Sequence, residues 1–535
     1  MTVLLRRPED VPSPHEYAAW AAIGGAGALP DPARRVSRLG AQLEDAFAAV
    51  SGAWWALARD LGSASSAWAA HAPACATNVS DLGLMLAWTK LVDGWAADKE
   101  STLVLCDDPW LFRHLAERPG VSAGAAPGLV AAELRLHLRG VLVRAMVAVR
   151  MAYAAIVCRR HRRTIARAVP AILVYGHPAS RATGTEDGHD AYFGGLLQDN
   201  LSLVRLLHTD CPPARARALA GDGRTAALHA WGNPLTAFAA IAARWTPLPA
   251  HLASPQGWLV RRAAMIENGC GNIAMTHWQD HCQRRWLADR RPRAVAWPWE
   301  NHPWERAFVR AATRADVRTV GYQHSVVGRH MLNYAAHSNP DGAASLPERV
   351  LCVGPATRAH LARWGIPEDR LAVGGAWRFP ADARTRFDPT APVFFALPFG
   401  GAIAAEMMAA ARDLAAAGRR VLVKDHPMTP FTFAQTPNLT RADTPLSGQD
   451  AVAAVVYAAT TVGLEARLAG LPAVRFRPCG TMAVDILPEG VSVPATERDS
   501  IAADVAHLIA TGPGAATSRA AVFAPVDKDL WSRLL

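Results

Sequence analysis

The chain has 535 residues, which is too many for one hydrophobic core and predicts two or three domains. Its formal net charge of +10 suits phosphates, nucleotides or an anionic membrane surface, but it identifies none of them. No pair among the eight cysteines has CxxC spacing, which argues against a disulfide framework or a zinc site and favours a reducing cytoplasm. The opening residues, MTVLLRRPEDVPSPHEY, hold no sustained apolar run, so we expect no signal peptide there.

The first half of the chain combines long helical stretches with widely spaced strands. Residues 1 to about 100 are predicted to be mostly helical, and the first strand, STLVLCDD, ends in Asp107 and Asp108. Four further apolar runs predict strands, namely AILVYGHP at 171–178, SLVRLLHTD at 202–210, RAVAWPWE at 293–300 and VRTVGYQHS at 317–325. A loop rich in Gly and Asp, which contains Glu186, Asp187 and Gly188, follows the second of these five strands.

The segment LRGVLVRAMVAVRMAYAAIVCRRHRR, residues 138–163, is long and apolar, but Arg144 and Arg150 interrupt it. Its longest charge-free stretch is far shorter than the roughly 20 apolar residues that a membrane span needs. We expect a core helix. The alternative is a helix that lies on the inner face of a membrane, with the arginines of 159–163 against anionic headgroups.

Past residue 345 the pattern becomes tighter, and strands alternate with helices of about 8 to 15 residues. This alternation predicts βαβ units and a parallel sheet. We therefore expect an α/β chain with two domains that face a cleft, residues 1–340 with extra helices and residues 345–515. The tail, 516–535, is expected to return to the first domain. Ligands of such sheets bind outside the carboxyl ends of the strands, so the polar strand ends are the places to search.

One polar strand end is VLVKDHP, residues 421–427. Pro427 cannot extend the strand ladder, so His426 is left at the mouth of the strand with Lys424 two residues before it. An imidazole can donate a hydrogen bond to a phosphate oxygen and, when protonated, can neutralise the charge of a leaving group. A lone His-Pro pair is also compatible with an ordinary solvated turn.

A second strand end lies in YAATTVGLEARLAGLPAV, residues 457–474. The hydroxyls of Thr460 and Thr461, together with the free amides of the helix that follows, would suit a phosphate. Gly463 would let a ligand approach the first turn, and Glu465 could accept hydrogen bonds from ribose hydroxyls. An ordinary helix cap would look similar, but both motifs are expected at the same edge of one sheet.

These two motifs together, VKDHP and ATTVGLEARLAGLPAV, resemble the carboxyl-terminal donor domain of bacterial surface-polysaccharide glycosyltransferases with the GT-B fold. The relatives include capsule sialyl- and Kdo-transferases and polyol-phosphate transferases. WPWENHPWERAFVRAA and VGYQHSVVG resemble a surface-carbohydrate biosynthesis family that shares an E-N-x-x-W-E-R stretch and a G-Y-Q-H-S strand end. The resemblance covers about 290 to 480, roughly a third of the chain, and implies a GT-B-like fold with the nucleotide sugar bound by the second domain.

The resemblance also assigns residues. His426 matches the His of the His-Pro motif, and Thr460 and Thr461 match the Ser/Thr pair that contacts nucleotide phosphates. The general base would lie across the cleft from these groups. We rank His324 first, Glu300 second and Asp187 third, the last because EDG at 186–188 matches an acidic-acidic-glycine motif of the sialyltransferase type. Trp297, Trp299 and Trp304 are expected to pack the hinge rather than to stack on a sugar.

The implied function is transfer of a sugar from a nucleotide-activated donor, with CMP as one option, to a growing surface polysaccharide or a lipid-linked saccharide. We expect no metal and no cofactor, and a cytoplasmic protein that is peripheral on the inner membrane face. Two alternatives stay open: a nucleotide-sugar epimerase on the same fold, and a non-catalytic scaffold in envelope polysaccharide assembly. Nucleic-acid binding is not expected, because the sequence holds no helix-turn-helix, RRM or zinc signature.

Overall fold

The computed structural model of the protein describes residues 3–24, 30–98, 100–182, 189–378 and 384–535. Its strands form three main sheets, within which all strand pairs are parallel. Parallel sheets need helical crossovers, and most helices of this chain lie between successive strands of the sheets.

A four-stranded sheet begins the chain, and with helices α1 to α3 we call it the first unit. Its strand order is β2-β3-β1-β4, with strands Val3–Arg6 (β1), Ala19–Ile23 (β2), Thr102–Cys106 (β3) and Val121–Ala123 (β4). Its helices are Leu39–Gly62 (α1), Leu82–Ala97 (α2) and Pro109–Ala116 (α3). Asp108 caps α3, because its carboxylate accepts hydrogen bonds from the amides of Trp110 and Leu111.

A seven-stranded sheet forms the centre of what we call the N-terminal lobe. Its order is β11-β10-β9-β8-β5-β6-β7, with strands Ala171–Val174 (β5), Val204–Leu207 (β6), Thr225–Ala227 (β7), Ala294–Pro298 (β8), Arg318–Gln323 (β9), Arg349–Cys352 (β10) and Leu371–Val373 (β11). Strands β5 to β8 are buried along their whole length, as expected for a parallel sheet that is covered on both faces. The covering helices are Leu129–Cys158 (α4), Leu196–Asp199 (α5), Pro213–Leu219 (α6), Pro249–Leu252 (α7), Gly257–Asn268 (α8), Asn272–Arg290 (α9), Pro303–Arg314 (α10) and Pro355–Arg363 (α11).

A six-stranded sheet forms the centre of the C-terminal lobe. Its order is β15-β14-β13-β17-β18-β19, with strands Val393–Ala396 (β13), Val421–Lys424 (β14), Leu439–Arg441 (β15), Ala454–Tyr457 (β17), Ala473–Phe476 (β18) and Ala495–Thr496 (β19). A two-stranded ribbon of Arg386–Phe387 (β12) and Ala451–Val452 (β16) lies beside it. The helices of this lobe are Gly401–Ala416 (α12), Val462–Leu468 (α13) and Ile501–Thr511 (α14).

The last residues of the chain cross back to the N-terminal lobe. They form the short helices Arg519–Val522 (α15) and Lys528–Leu534 (α16). Trp531 of α16 donates its indole N–H to the carbonyl of Gly374, and its ring lies 5.3 Å from the ring of Tyr322 in β9. The buried Trp531 therefore fastens the tail to the seven-stranded sheet.

The predicted α/β class, with two Rossmann-like domains and extra helices in the first half, is confirmed by these sheets. Several details differ from the prediction, which also omitted the short strands β4 and β7 from stretches expected to be helical. Residues 1 to about 100 include β1 and β2, whose short apolar runs form strands because both pair with β3. Strands β10 and β11 pair with β9, so the sheet of the N-terminal lobe continues past the predicted division at residue 345.

Candidate functional site

In both lobes the strand order reverses at one point of the sheet, and such a reversal opens a crevice beyond the carboxyl ends of the strands. In the N-terminal lobe it lies between β5 and β8, which are followed by His177 and Glu300. In the C-terminal lobe it lies between β13 and β17, which are followed by Phe399 and Thr460. The topology therefore places polar residues of both lobes at the positions where α/β sheets bind ligands.

The predicted convergence of His426 with the threonine pair depends on strand register. Ala396 of β13 pairs with Lys424 of β14 on one side and with Tyr457 of β17 on the other. The three strands therefore end at the same level. The His-Pro turn and the threonines lie on one edge of the sheet, about two strand spacings apart, or roughly 10 Å.

A His-Pro turn stands on each side of the cleft. Met428 donates its amide to Nδ1 of His426 (3.3 Å), and Ala179 donates its amide to Nδ1 of His177 (3.1 Å). Because Nδ1 accepts in both rings, the proton of each neutral imidazole is on Nε2, which is left to donate. Burial, followed by the charge of Arg378, lowers the pKa of both histidines, so both are neutral at pH 7.

Two exposed apolar side chains border His426. The Phe399 ring lies edge-on to the imidazole, with 5.5 Å between the ring centroids, and more than half of its surface is exposed. Met428 is exposed to a similar degree. The mouth of the C-terminal lobe therefore offers a hydrogen-bond donor flanked by apolar surface, a combination that suits a ligand with a charged group and a flat ring.

Glu300 and His302 stand on a loop that is held by Glu305. The Glu305 carboxylate accepts hydrogen bonds from the backbone amides of Glu300, Asn301 and His302 and from the indole of Trp297. Asn301 adopts a left-handed φ of 56°, which turns the chain sharply between the two functional side chains. The E-N-x-x-W-E-R stretch therefore aims Glu300 into the cleft, while Trp297, Trp299 and Trp304 are buried in packing.

Arg306 fastens the same loop to two other parts of the chain. Its buried guanidinium donates to the carbonyls of Asn301, Ser338 and Ala74. Burial lowers the pKa of Arg306 to about 10, which still leaves the group charged at pH 7. The loop is thus attached to the first unit as well as to its own lobe.

Glu300 is a charged carboxylate that keeps 33% of its side-chain surface open. Burial acts to raise its pKa, but the hydrogen bond from His302 (2.9 Å) and the charges of His302, His324 and Arg378 lower it to about 2. Nε2 of His324 lies 4.0 Å from the second oxygen of Glu300. One carboxylate therefore faces two imidazoles.

His324 is buried at the end of β9, where the sequence placed it. Burial lowers its pKa to about 4 against the opposing influence of Glu300, while Arg378 and His177 lower it further. The ring is therefore neutral at pH 7 and able to accept a proton. The nearby carboxylate of Glu300 would stabilise the resulting imidazolium.

Arg378 lies in the segment that connects the N-terminal lobe to the C-terminal lobe, five residues after β11 ends. Its side chain is exposed, and within the described part of the chain the structure shows no ion pair or hydrogen bond for its guanidinium. Its charge acts to lower the pKa values of seven groups from both lobes: His177, Tyr192, Glu300, Tyr322, His324, His426 and Glu465. Among the described residues Arg378 is thus a cation without a partner of its own, and we call it, with His177, Glu300, His302, His324 and His426, the cleft cluster.

The threonine pair precedes α13. The hydroxyl of Thr460 accepts the amide of Val462 (3.2 Å), and the preceding residue, Ala459, has a left-handed φ of 47°. Thr461 takes the N-cap position, but its side chain makes no capping hydrogen bond. Thr460 therefore shapes the turn, whereas the hydroxyl of Thr461 does not cap the helix.

Of the three other predicted donor-site residues, two have partners inside the lobe. Lys424 donates to the carbonyls of Ala442 and Asp443, at the end of β15, which uses two of its three N–H groups inside the lobe. Gly463 is buried, and a Cβ there would lie 2.1 Å from the Tyr457 ring, so the structure gives it a packing role instead of a ligand approach. Burial raises the pKa of Glu465, and the charge of Arg378 offsets part of that rise.

Asp187, with Glu186 and Gly188, lies outside the described residues. Asp108 caps α3 and pairs with Arg262 (2.6 Å), so it has a structural role in the first unit.

Sequence reasoning missed His177 and Arg378. The signal for His177 was present, because YGHP after β5 repeats the strand-His-Pro pattern of VKDHP after β14. No local pattern marks Arg378, which acquires its position only when the two lobes come together.

No protein-family model matches the chain, and no curated protein matches it. Several solved structures share its general architecture at low similarity. The UDP-GlcNAc 2-epimerase from Methanocaldococcus jannaschii has 8% identity and a TM-score of 0.38, with 68% of this chain and 98% of that chain covered. The glycotransferase of kitacinnamycin has 12% identity and a TM-score of 0.35, with 64% and 91% covered. The lipopolysaccharide outer core galactosyltransferase WaaB has 11% identity and a TM-score of 0.32, with 64% and 91% covered. At these values the likenesses carry no argument about function.

Proposed function

We propose that the protein is a glycosyltransferase that moves a sugar from a nucleotide-activated donor to a saccharide acceptor. One observation carries the proposal. The charge of Arg378 acts on His177 in the N-terminal lobe and on His426 in the C-terminal lobe, so donors of both lobes lie near one guanidinium, and the acid–base pair of Glu300 and His324 stands in the N-terminal lobe. Free cationic and neutral N–H donors fit a phosphate, and a neutral imidazole beside a carboxylate fits proton removal.

In this reaction the nucleotide phosphate binds to Arg378, His426 and the hydroxyl of Thr461. The acceptor oxygen attacks the anomeric carbon, and the bond from that carbon to the phosphate oxygen breaks. The leaving nucleotide keeps the electron pair, and Arg378 and His426 stabilise its charge. The acceptor proton passes to Nε2 of His324, and the charged Glu300 stabilises the imidazolium.

The finer features of the proposal come from the sequence resemblance. A CMP-linked sugar is one donor option, and the acceptor is a growing surface polysaccharide or a lipid-linked saccharide. Metal is not required, because Arg378 and His426 can supply the positive charge at the leaving group. We place the protein in the cytoplasm, peripheral on the inner face of the membrane.

The test is a donor screen of the whole chain with CMP-, CDP- and UDP-activated sugars, with and without saccharide acceptors and EDTA. Acceptor-dependent release of the nucleotide, unchanged by EDTA, is the expected result. Conversion of a UDP-sugar to its epimer without an acceptor would show that the protein is an epimerase and not a transferase. If neither reaction occurs and calorimetry shows no binding of CMP, CDP or UDP, the non-catalytic scaffold is the remaining alternative.

A further inference from the structure

The outward face of helix α4 carries a continuous apolar stripe. Eight large side chains along the helix are at least 55% exposed: Val130, Leu134, Leu138, Leu142, Met146, Val149, Tyr153 and Ile156. Their spacing of three or four residues puts them on one side of the helix. Soluble proteins rarely expose so many large apolar groups together unless they contact a partner or a lipid surface.

A neighbouring segment extends this stripe. The 3₁₀ helix Thr236–Ala242 packs beside α4, and it exposes Phe238 and Ile241, with Leu235 just before it. Among the described residues, twelve of the eighteen exposed large apolar side chains lie on α4 or on residues 235–242. We call the two together the α4 face.

The opposite side of α4 is fixed to the protein. The buried Arg144 donates to the carbonyls of Ile241 and Asn268, and Gly140 packs so closely on Asn268 that a Cβ would lie 2.1 Å from its carbonyl oxygen. The helix is long and apolar enough to cross a membrane by length and composition. However, these contacts hold it flat against its own lobe, so its outward face alone is available to a bilayer.

The charge around the α4 face is strongly positive. Residues 129–167 contain nine arginines and a single carboxylate, that of Glu133. Seven of these arginines are exposed: Arg135, Arg139, Arg150, Arg159, Arg160, Arg163 and Arg167. A second copy of the chain docked here would bring like charges together, whereas an anionic bilayer would complement both the apolar stripe and the arginines.

We propose that the α4 face docks the protein on an anionic lipid bilayer, with α4 parallel to the membrane plane. The stripe inserts among the acyl chains at the level of the headgroups, and the exposed arginines bind the headgroup phosphates. This inference depends on the surface of the N-terminal lobe and not on the proposed transferase activity, so each can fail alone.

Vesicle sedimentation tests the proposal with the intact chain. We expect binding to vesicles of phosphatidylcholine with about one third phosphatidylglycerol, and at least tenfold weaker partitioning onto pure phosphatidylcholine. The variant L142Q/V149Q should lower partitioning by roughly tenfold or more, because it removes inserted apolar area. The variant R159Q/R160Q should lower it by roughly fivefold for each arginine.

Matched controls use the same changes elsewhere. Leu201 is 84% exposed but lies outside the α4 face, so L201Q should bind vesicles like the wild type, as should R412Q on α12. Equal binding of the wild type and L142Q/V149Q would overturn the proposal. So would a wild-type dimer in sedimentation velocity without lipid that L142Q/V149Q converts to a monomer, because the face would then bind a second copy.

Discussion

Two clusters of charged side chains join different parts of this molecule, and they differ in how their charges are satisfied. The first, which we call the Glu44 cluster, is closed. Glu44 of α1 binds Arg475 of β18 through two hydrogen bonds of 2.6 Å, and both side chains are 3% exposed. Arg477 and Arg329 also contact Glu44, and Asp485 lies 3.4 to 3.7 Å from Arg329 and Arg475.

The cleft cluster uses the same residue types but is open. The Arg378 guanidinium has no partner within the described part of the chain, and His177 and His426 bind backbone amides only through Nδ1. Glu300 is the sole carboxylate of the cluster. A buried ion set that satisfies itself fixes a structure, whereas donors without an internal acceptor mark a place for an external anion. Changes in the Glu44 cluster should therefore alter stability, and changes in the cleft cluster should alter activity.

The largest effect expected from a single substitution is on stability. Glu44→Ala removes both hydrogen-bond acceptors of the buried Arg475 and leaves only the more distant Asp485 (3.7 Å), which should lower the free energy of unfolding by about 3–5 kcal/mol. Urea unfolding measures this. Glu368→Ala is the matched control, because that carboxylate is exposed and its pair with Arg358 should contribute less than about 1 kcal/mol. If Glu44→Ala lowers the free energy of unfolding by less than about 1 kcal/mol, the Glu44 cluster does not hold the lobes together.

Acid should also destabilise the N-terminal lobe, which contains the proton-transfer residues Glu300 and His324. Burial lowers the pKa of His71 to about 3 and that of four histidines of the N-terminal lobe to about 4, namely His229, His324, His330 and His360. A depressed pKa stabilises the fold above about pH 6.5, and this contribution is lost as the pH falls toward 4, at most roughly 3 kcal/mol for each group. Calorimetry between pH 7 and 4 should show the melting temperature falling. Hydrogen exchange should show the N-terminal lobe losing protection before the C-terminal lobe, and the reverse order would contradict the assignment.

His426→Ala should reduce turnover at least a hundredfold, or about 2.7 kcal/mol of transition-state stabilisation, because the donor to the leaving phosphate is removed. The melting temperature should stay within about 2 °C of the wild type, since His426 is only half-buried. His507→Ala, an exposed histidine on α14, is the control and should keep full activity. Near-normal turnover in His426→Ala would show that His426 takes no part in the reaction.

Arg378→Gln should weaken nucleotide binding by at least tenfold, measured by calorimetry, because a charge-assisted hydrogen bond to phosphate is lost. The pKa of His426 should rise at the same time, since Arg378 lowers it. Proton NMR of the imidazole can follow that change. Arg386→Gln, an exposed arginine on β12, should change neither quantity. An unchanged affinity in Arg378→Gln would show that the free guanidinium serves another purpose.

The long strands and helices of this chain could be predicted from sequence, because hydrophobic runs such as VLVK and RTVGYQ are marked by local composition. The short strands β1, β2, β15 and β19 could not, since they form only through pairing with neighbours. The sheet membership of β10 and β11 is likewise a tertiary property. In the site, His324, Glu300 and His426 stand at strand ends that local patterns revealed, whereas Gly463 looked like a ligand contact until the Tyr457 ring was seen against it.

A crystal structure with a bound nucleotide tests the central claim most directly. The account predicts a phosphate oxygen about 3 Å from both the Arg378 guanidinium and Nε2 of His426, at the edge where β13, β14 and β17 end. A nucleotide whose phosphates contact neither group, or a site outside the cleft, would contradict it.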